Sequence, residues 1–140
     1  MPLPRAVPQH PVVLLVEDDA DAQEIVSSTL RHYGFQVVQA RSIAEAHECA
    51  RARRPDVVLL DCRLPDGDGL GLARSWRKVD TMADVPVIAL TAFSARQDME
   101  AALLAGVDAF LVKPIPMKIL AEQIEKVLMG QRPSSKLRKV

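Results

Sequence analysis

The chain has 140 residues, enough to bury one sizeable core, and its 49% hydrophobic and 26% charged residues are typical of a globular domain. Its formal net charge is zero, and no apolar run approaches the roughly 18 residues that a membrane helix needs, so we expect no membrane segment. Its two cysteines, Cys49 and Cys62, form no CxxC pair, which argues against a disulfide framework or a zinc site and favours a reducing cytoplasm.

Prolines and basic residues are concentrated towards the two ends of the chain. Residues 1–11 contain four of the ten prolines and show no periodicity, which predicts an extended leader. Residues 130–140 are basic and predict a flexible tail or the start of a linker, which leaves 12–129 as the folded domain. A basic tail can contact nucleic acid or anionic lipid. The rest of the chain lacks the basic, aromatic-interleaved face of a nucleic-acid binder, so we expect no direct binding of nucleic acid or membrane.

Short apolar runs alternate with helical patterns inside the folded domain, which predicts βα units and a parallel sheet. The predicted strands are Val12–Val16, Phe35–Val38, Val57–Leu60, Val87–Leu90 and Ala109–Val112. The third and fourth are almost wholly apolar, as central parallel strands are, whereas Gln36 and Gln39 suit the second strand to a sheet edge. Right-handed crossovers then place helices on both faces of the sheet.

A helical segment follows each predicted strand. The helices are predicted to begin near Asp21, Ser42, Leu70, Ser94 and Pro116. Glu45 and Gln97 stand three residues after the serines at two of these starts, which is the spacing of a capping box. The pattern of the first helix predicts an inner face that includes Ile25 and Leu30, and the third helix is predicted to end near Lys78.

Polar side chains stand at the carboxyl ends of four predicted strands. In chain order they are Glu17 and Asp18, Asp61, Thr91, and Lys113. Because the carboxyl ends of parallel strands meet at one edge, we expect these side chains to converge where ligands bind in open α/β sheets. Carboxylates with few nitrogen or sulfur ligands nearby suit a hard cation such as Mg²⁺. An aspartate can also act as a nucleophile and form an aspartyl phosphate, whose charge an ammonium and a hydroxyl group would meet.

Each of these residues alone has a simpler interpretation. An acidic cluster is usually a solvated turn, a Thr after a strand usually belongs to a turn, and a Lys-Pro pair is usually a solvated strand end. Residues 66–69, Asp-Gly-Asp-Gly, suggest a calcium loop, but Leu64 and Ser75 stand where an EF-hand needs acidic residues. A turn into the third helix is the simpler prediction for them. The joint pattern at the strand ends is more specific than any one member.

Four stretches of this chain resemble the receiver domain of a two-component response regulator. They are Leu-Leu-Val-Glu-Asp-Asp (14–19), Val-Val-Leu-Leu-Asp-Cys-Arg-Leu-Pro-Asp-Gly-Asp-Gly-Leu (57–70), Pro-Val-Ile-Ala-Leu-Thr-Ala (86–92) and Gly-Val-Asp-Ala-Phe-Leu-Val-Lys-Pro (106–114). The resemblance covers residues 12 to about 129. It implies a flavodoxin-like, doubly wound α/β fold, in which a five-stranded parallel sheet of order 2-1-3-4-5 is covered by five helices.

The resemblance also implies a role for individual residues. Asp61 would accept a phosphoryl group from a histidine kinase or a histidine phosphotransfer protein. The Mg²⁺ ligands would be Glu17, Asp18, Asp61 and the main-chain carbonyl of Arg63. Thr91 and Lys113 would contact the phosphoryl group, and the Lys113–Pro114 peptide would be cis. The domain would promote only its own phosphorylation and dephosphorylation, so we do not expect an enzyme that acts on other substrates.

In the family, the threonine and an aromatic residue of the fifth strand move together as the domain switches. Thr91 and Phe110 occupy these positions, although Phe110 is equally well explained as a core residue. Because Phe110 lacks a phenolic OH, we expect it to favour the buried rotamer. The switch would change the surface of the fourth helix, fifth strand and fifth helix, and so control a downstream protein or an attached effector domain. The chain would be a monomer or a weak dimer through this surface, and Arg63, Ala92 and Phe93 would tune how long the phosphoryl group lasts.

Two other classes of protein also have an aspartate directly after a strand. A haloacid-dehalogenase-like phosphatase needs a second Asp two residues after the first, and Arg63 stands there. A degenerate receiver would serve only as a protein-binding scaffold, but the acceptor, metal, Thr and Lys positions are all filled. The sequence therefore favours a phosphorylation-driven switch.

Overall fold

The computed structural model describes residues 9–92 and 96–130 of the chain. Its strands are β1 (Val12–Val16), β2 (Gln36–Ala40), β3 (Val57–Asp61), β4 (Val87–Thr91) and β5 (Ala109–Val112). They form one parallel sheet of order β2-β1-β3-β4-β5, which confirms the predicted topology. The helices are α1 (Ala20–His32), α2 (Ile43–Ala52), α3 (Gly69–Trp76), α4 (Arg96–Ala105) and α5 (Met117–Leu128). Among the described residues, none of these helices has the length and apolar character needed to cross a membrane.

Helices cover both faces of the sheet, because successive residues of a buried strand point to opposite sides. Leu14 and Val58 pack in a cluster with α2, α3 and α4, whereas Val13 and Val57 pack in a second cluster with α1 and α5. Every residue of β1 and β4 is buried, whereas β2 lies at the edge with exposed glutamines. Truncating a fully buried Leu such as Leu59 to Ala typically costs about 2–5 kcal/mol, so this core holds the strand ends firmly in place.

The register brings the carboxyl ends of the central strands to one edge. Residues paired there are Val16 with Leu60, Asp61 with Leu90, and Thr91 with Val112. Glu17 and Lys113 each follow a paired residue directly, so the acids, the hydroxyl and the ammonium come from neighbouring positions at that edge.

The predicted inner face of α1 is partly wrong. Ile25 is 61% exposed, while Gln23, Ser27 and Leu30 are buried. The reason is a polar one: the Gln23 side-chain amide lies against the sheet and donates to three main-chain carbonyl groups at the ends of β1 and β2. A hydrophobic pattern cannot anticipate a glutamine that faces inward, because the pattern assigns polar residues to solvent.

Helix boundaries agree with the sequence to within one or two residues. Ser42 caps α2 as predicted, with its Oγ accepting from the Glu45 N–H at 3.1 Å. Pro116 is the residue before α5, and α3 ends at Trp76 rather than near Lys78. A hairpin that was not predicted, with strands of two residues (Arg63–Leu64 and Gly67–Asp68), lies between β3 and α3. The predicted cap at Ser94 lies outside the described residues, as do residues 1–8 of the leader and 131–140 of the tail.

Candidate functional site

Three carboxylates meet at the edge of the sheet where β1 and β3 end. Glu17, Asp18 and Asp61 each offer an oxygen atom, and these oxygens lie within 4.8 Å of one another. Glu17 is buried, Asp61 is half-buried and Asp18 is exposed, so the cluster opens to solvent on one side. An oxygen-only ligand set with access to water fits Mg²⁺, a hard cation that binds carboxylate oxygens and keeps several waters.

Lys113 brings a positive charge into the same cluster. Its Nζ lies 3.0 Å from Glu17 Oε1 and 3.3 Å from Asp61 Oδ2. The backbone supports this approach, because the Lys113 N–H donates to the Thr91 carbonyl at 2.7 Å. The Lys113–Pro114 peptide is cis, as the resemblance implied. The residues after β1, at the end of β3 and after β5 therefore converge within hydrogen-bonding distance.

The pKa values of Glu17 and Lys113 are both shifted in this cluster. Burial, together with a hydrogen bond to Asp61, raises the pKa of Glu17 to about 7, although Lys113 acts in the opposite direction. Burial alone would lower the pKa of Lys113, but the hydrogen bonds and charges of Glu17 and Asp61 raise it above its usual value. The ammonium therefore stays charged at neutral pH, while Glu17 titrates there. A divalent cation would compete with that proton.

The loop after β3 orients the Asp61 carboxylate. The Arg63 N–H donates to Asp61 Oδ1 at 3.1 Å, which leaves Oδ2 facing Lys113. The base of the loop closes where the Gly69 N–H donates to the Cys62 carbonyl at 3.0 Å. The two oxygens of Asp61 therefore have different neighbours, one in its own loop and one across the sheet edge.

Gly69 is a site residue that the sequence interpretation missed. A Cβ at this position would overlap the main-chain carbonyl oxygen of Asp61, so only glycine allows the start of α3 to pass this close to the end of β3. The sequence pattern predicts only a turn at residues 66–69. The signal that could have indicated a close backbone approach is Gly69 itself, because a turn that already contains Gly67 does not need a second glycine. Gln23 was missed too, and its amide donates at 3.0 Å to the carbonyl of Glu17.

The structure describes three of the four remaining predicted residues, Thr91, Ala92 and Phe110. Thr91 is buried at the end of β4, and Ala92 after it is exposed. A cavity of about 480 Å³ lies beside Thr91 and is also lined by Arg63, Leu64 and Ala101. Phe110 is 6% exposed and packs in the cluster with α2, α3 and α4. Phe93 lies outside the described residues.

Comparison with known proteins shows that this chain is similar to response regulators and their receiver domains. The model of the family described as "Response regulator receiver domain" matches residues 13–125. The transcriptional regulatory protein PrrA of Mycobacterium tuberculosis is 39% identical over 125 residues, which are 89% of this chain and 52% of PrrA. The polar-differentiation response regulator DivK of Brucella anthropi is 32% identical over 116 residues, which are 83% of this chain and 94% of DivK.

A solved structure adds a metal to the comparison. It is the receiver domain of the sensor histidine kinase PA1611 from Pseudomonas aeruginosa, crystallised with a magnesium ion in its active site cleft. It is 34% identical, has a TM-score of 0.78, and is matched over 86% of this chain and 98% of that one. The chain spans about half the length of PrrA but nearly all of DivK, so the similarity to the longer regulator is confined to one part of it.

Proposed function

This chain belongs to the response regulator receiver domain family, a family of regulatory signalling domains, and from that premise we propose that Asp61 is its phosphoacceptor. The donor is a histidine kinase or a histidine phosphotransfer protein, and Mg²⁺ is the cofactor. One observation carries the proposal: Glu17, Asp18 and Lys113, from two other strand ends, all approach the Asp61 carboxylate. Clustered anions beside an ammonium are the charge arrangement that a dianionic phosphoryl group and a divalent cation would complete.

The transfer step assigns a separate task to each residue. Asp61 forms a new bond from a carboxylate oxygen to phosphorus as the phosphorus–nitrogen bond of the donor histidine breaks, and a proton from solvent returns to the imidazole. Mg²⁺, when bound, neutralises the acids and the phosphoryl oxygens. Its ligands would be Glu17, Asp18, Asp61 and the main-chain carbonyl of Arg63. Lys113 contacts one phosphoryl oxygen as a point charge, and Thr91 donates a hydrogen bond to another.

Phosphorylation then switches the surface of α4, β5 and α5. Moving a two-state equilibrium from about 1% to 99% active takes about 5.5 kcal/mol. Two charge-assisted hydrogen bonds, from Thr91 and Lys113, supply about 1.5–3 kcal/mol each, so together they come within reach of that value at the upper end of the range. When Thr91 moves towards the phosphoryl group, it leaves space into which the side chain of Phe110 moves. The competing interpretation, that Phe110 is only core, predicts that Phe110→Leu changes stability but leaves the response to phosphorylation intact.

The surroundings of the site set the lifetime and the output. Arg63, Ala92 and Phe93 tune the lifetime of the phosphoryl group. Arg63 flanks the path of the attacking water, Ala92 leaves room for the donor histidine, and Phe93, which lies outside the described residues, is named from the family resemblance alone. The output is a downstream protein or an attached effector domain, and the domain itself acts as a monomer or a weak dimer through α4, β5 and α5. We place it in the cytoplasm as a domain of residues 12–129 that makes no direct contact with nucleic acid or membrane, between a leader and a basic tail.

Incubation with Mg²⁺ and acetyl phosphate, followed by intact mass spectrometry, tests the proposal. The wild-type chain should gain one phosphoryl group, and Asp61→Asn should gain none. Asp80→Asn is the matched control, because Asp80 is an exposed acid outside the site and should leave the gain unchanged. Steady release of phosphate from unrelated monoesters would instead indicate a phosphatase, and an inert protein would indicate a scaffold.

A further inference from the structure

One side chain ties the loop between β3 and α3 to a second helix. Asp66 lies at the tip of the hairpin, and its carboxylate accepts hydrogen bonds from the main-chain N–H groups of Ile43 at 2.8 Å and Ala44 at 3.1 Å. The pKa of Asp66 is lowered, chiefly by the hydrogen bond from Ile43. Next to it, Gly67 lies so close to α2 that an added Cβ would be 3.0 Å from Ile43 Cδ1. The hairpin tip therefore rests directly on the first turn of α2.

Ser42 already caps the start of α2, so the need for a helix cap does not by itself explain why the Asp66 carboxylate binds there. The Oγ of Ser42 accepts from the Glu45 N–H at 3.1 Å, and the Ser42 carbonyl accepts from the Ala46 N–H at 3.0 Å. The N–H groups of the first helical turn have no acceptor within the helix. The Asp66 carboxylate accepts from two of them, those of Ile43 and Ala44, which are not the ones that donate to Ser42. Because Asp66 comes 23 residues after Ile43, these hydrogen bonds join two distant segments rather than only completing a helix end.

The base of the same loop is fixed independently. The Arg63 N–H donates to the Asp61 carboxylate, and the Gly69 N–H donates to the Cys62 carbonyl. Arg63 thus lies between a closed base and a tip that is attached to α2. The side chain of Asp66 makes the attachment at the tip.

We propose that Asp66 is a positioning residue for metal binding, which fixes the hairpin tip to α2 and so holds the Arg63 carbonyl where it completes the Mg²⁺ site. This inference rests on the proposed function, which assigns that carbonyl as a ligand. Changing a residue that holds a metal ligand in place typically weakens binding about 10–100-fold. Asp66 acts through the hairpin on one ligand of several, so the expected loss is about tenfold.

Isothermal titration of Mg²⁺ into four proteins, without a phosphodonor, tests the proposal. Asp66→Ala should raise the Kd about tenfold relative to the wild type. Asp66→Asn keeps one acceptor oxygen and should raise the Kd only roughly threefold. Ser42→Ala is the control, because it removes the local cap of the same helix without touching the loop; it should lower the Tm and leave the Kd unchanged.

Comparison of Ser42→Ala with Asp66→Ala distinguishes positioning of the loop from stability of α2. Equal weakening by Ser42→Ala and Asp66→Ala would overturn the proposal, because it would trace the effect to α2 as a whole. An unchanged Kd in Asp66→Ala would also overturn it. With the proposal correct, raising Mg²⁺ should restore the phosphorylation rate of Asp66→Ala to that of the wild type. A wild-type protein that binds Mg²⁺ but gains no phosphoryl group would refute the proposed function, and the Kd values would still decide the role of Asp66.

Discussion

Glu17 gives the site a titration near neutral pH, and Mg²⁺ binding should depend on it. The residue is 6% exposed, and burial together with its hydrogen bond to Asp61 raises its pKa to about 7. A group with that pKa is about one tenth ionised at pH 6 and about nine tenths ionised at pH 8. Because a carboxylate must lose its proton to bind a metal, the apparent association constant for Mg²⁺ should rise about tenfold between these pH values and then level off.

Calorimetric titrations at the two pH values, in buffers with different heats of ionisation, measure both the Kd and the protons released. At pH 6 the wild type should release nearly one proton for each Mg²⁺ bound. Glu17→Gln has a similar shape but cannot titrate, so its weaker binding should lack the tenfold change with pH. A wild-type Kd that is the same at both pH values would refute the reasoning, and so would a tenfold change that persists in Glu17→Gln.

The same pKa shift has a consequence for the metal-free fold. The folded-state pKa of Glu17 lies above its ordinary value of 4.5, so the protonated side chain stabilises the fold fully below about pH 4.5. That contribution is lost as the pH rises through about 7, and it corresponds to at most about 3 kcal/mol. In the presence of a chelator, the free energy of unfolding of the wild type relative to Glu17→Gln should therefore fall over this range, as urea titrations would show.

Two further substitutions test contacts that hold the site and the sheet. Gly69→Ala should abolish phosphorylation and destabilise the fold, because its Cβ would overlap the Asp61 carbonyl. Gly71→Ala is the control: it has open space in the same helix, so it should leave phosphorylation unchanged and add about 0.5–1 kcal/mol of stability. Acetyl phosphate labelling measures phosphorylation, and urea unfolding measures stability. Asp108→Ala should cost about 3 kcal/mol, since it leaves the Arg77 guanidinium and a buried main-chain N–H without their carboxylate, and a loss below about 1 kcal/mol in urea unfolding would contradict this.

The sheet and the membership of the site were predictable because both follow from periodic or local rules. Wholly apolar runs such as Val57–Leu60 indicate central parallel strands, and parallel strands end at a common edge. Asp61 and Lys113 could therefore be placed together from their positions after strands, although 52 residues separate them. Their convergence needs no knowledge of side-chain packing.

The supporting contacts were not predictable in this way, because each depends on close approach between particular segments. The hydrogen bonds from α2 to Asp66 and the closeness of Gly69 to the Asp61 carbonyl arise only when the hairpin tip meets the start of α2 and the start of α3 meets the end of β3. Turn chemistry indicated that residues 66–69 reverse the chain, but it does not specify which helix the turn contacts. The inward orientation of Gln23 has the same origin, since its carbonyl partners come from two different strand ends.

Charge state is the property of the site that sequence specifies least. Glu17 and Asp18 are adjacent, and their residue types suit both to the same task, yet Glu17 is buried and Asp18 is exposed. The difference arises because Glu17 directly extends β1, where its N–H donates to the Ala40 carbonyl at 3.0 Å. The side chain of Asp18, the next residue, is exposed to solvent. Desolvation acts on the buried member and raises its pKa. A motif therefore identifies which oxygens can bind a cation, but the depth of each oxygen below the surface determines the pH at which it becomes available.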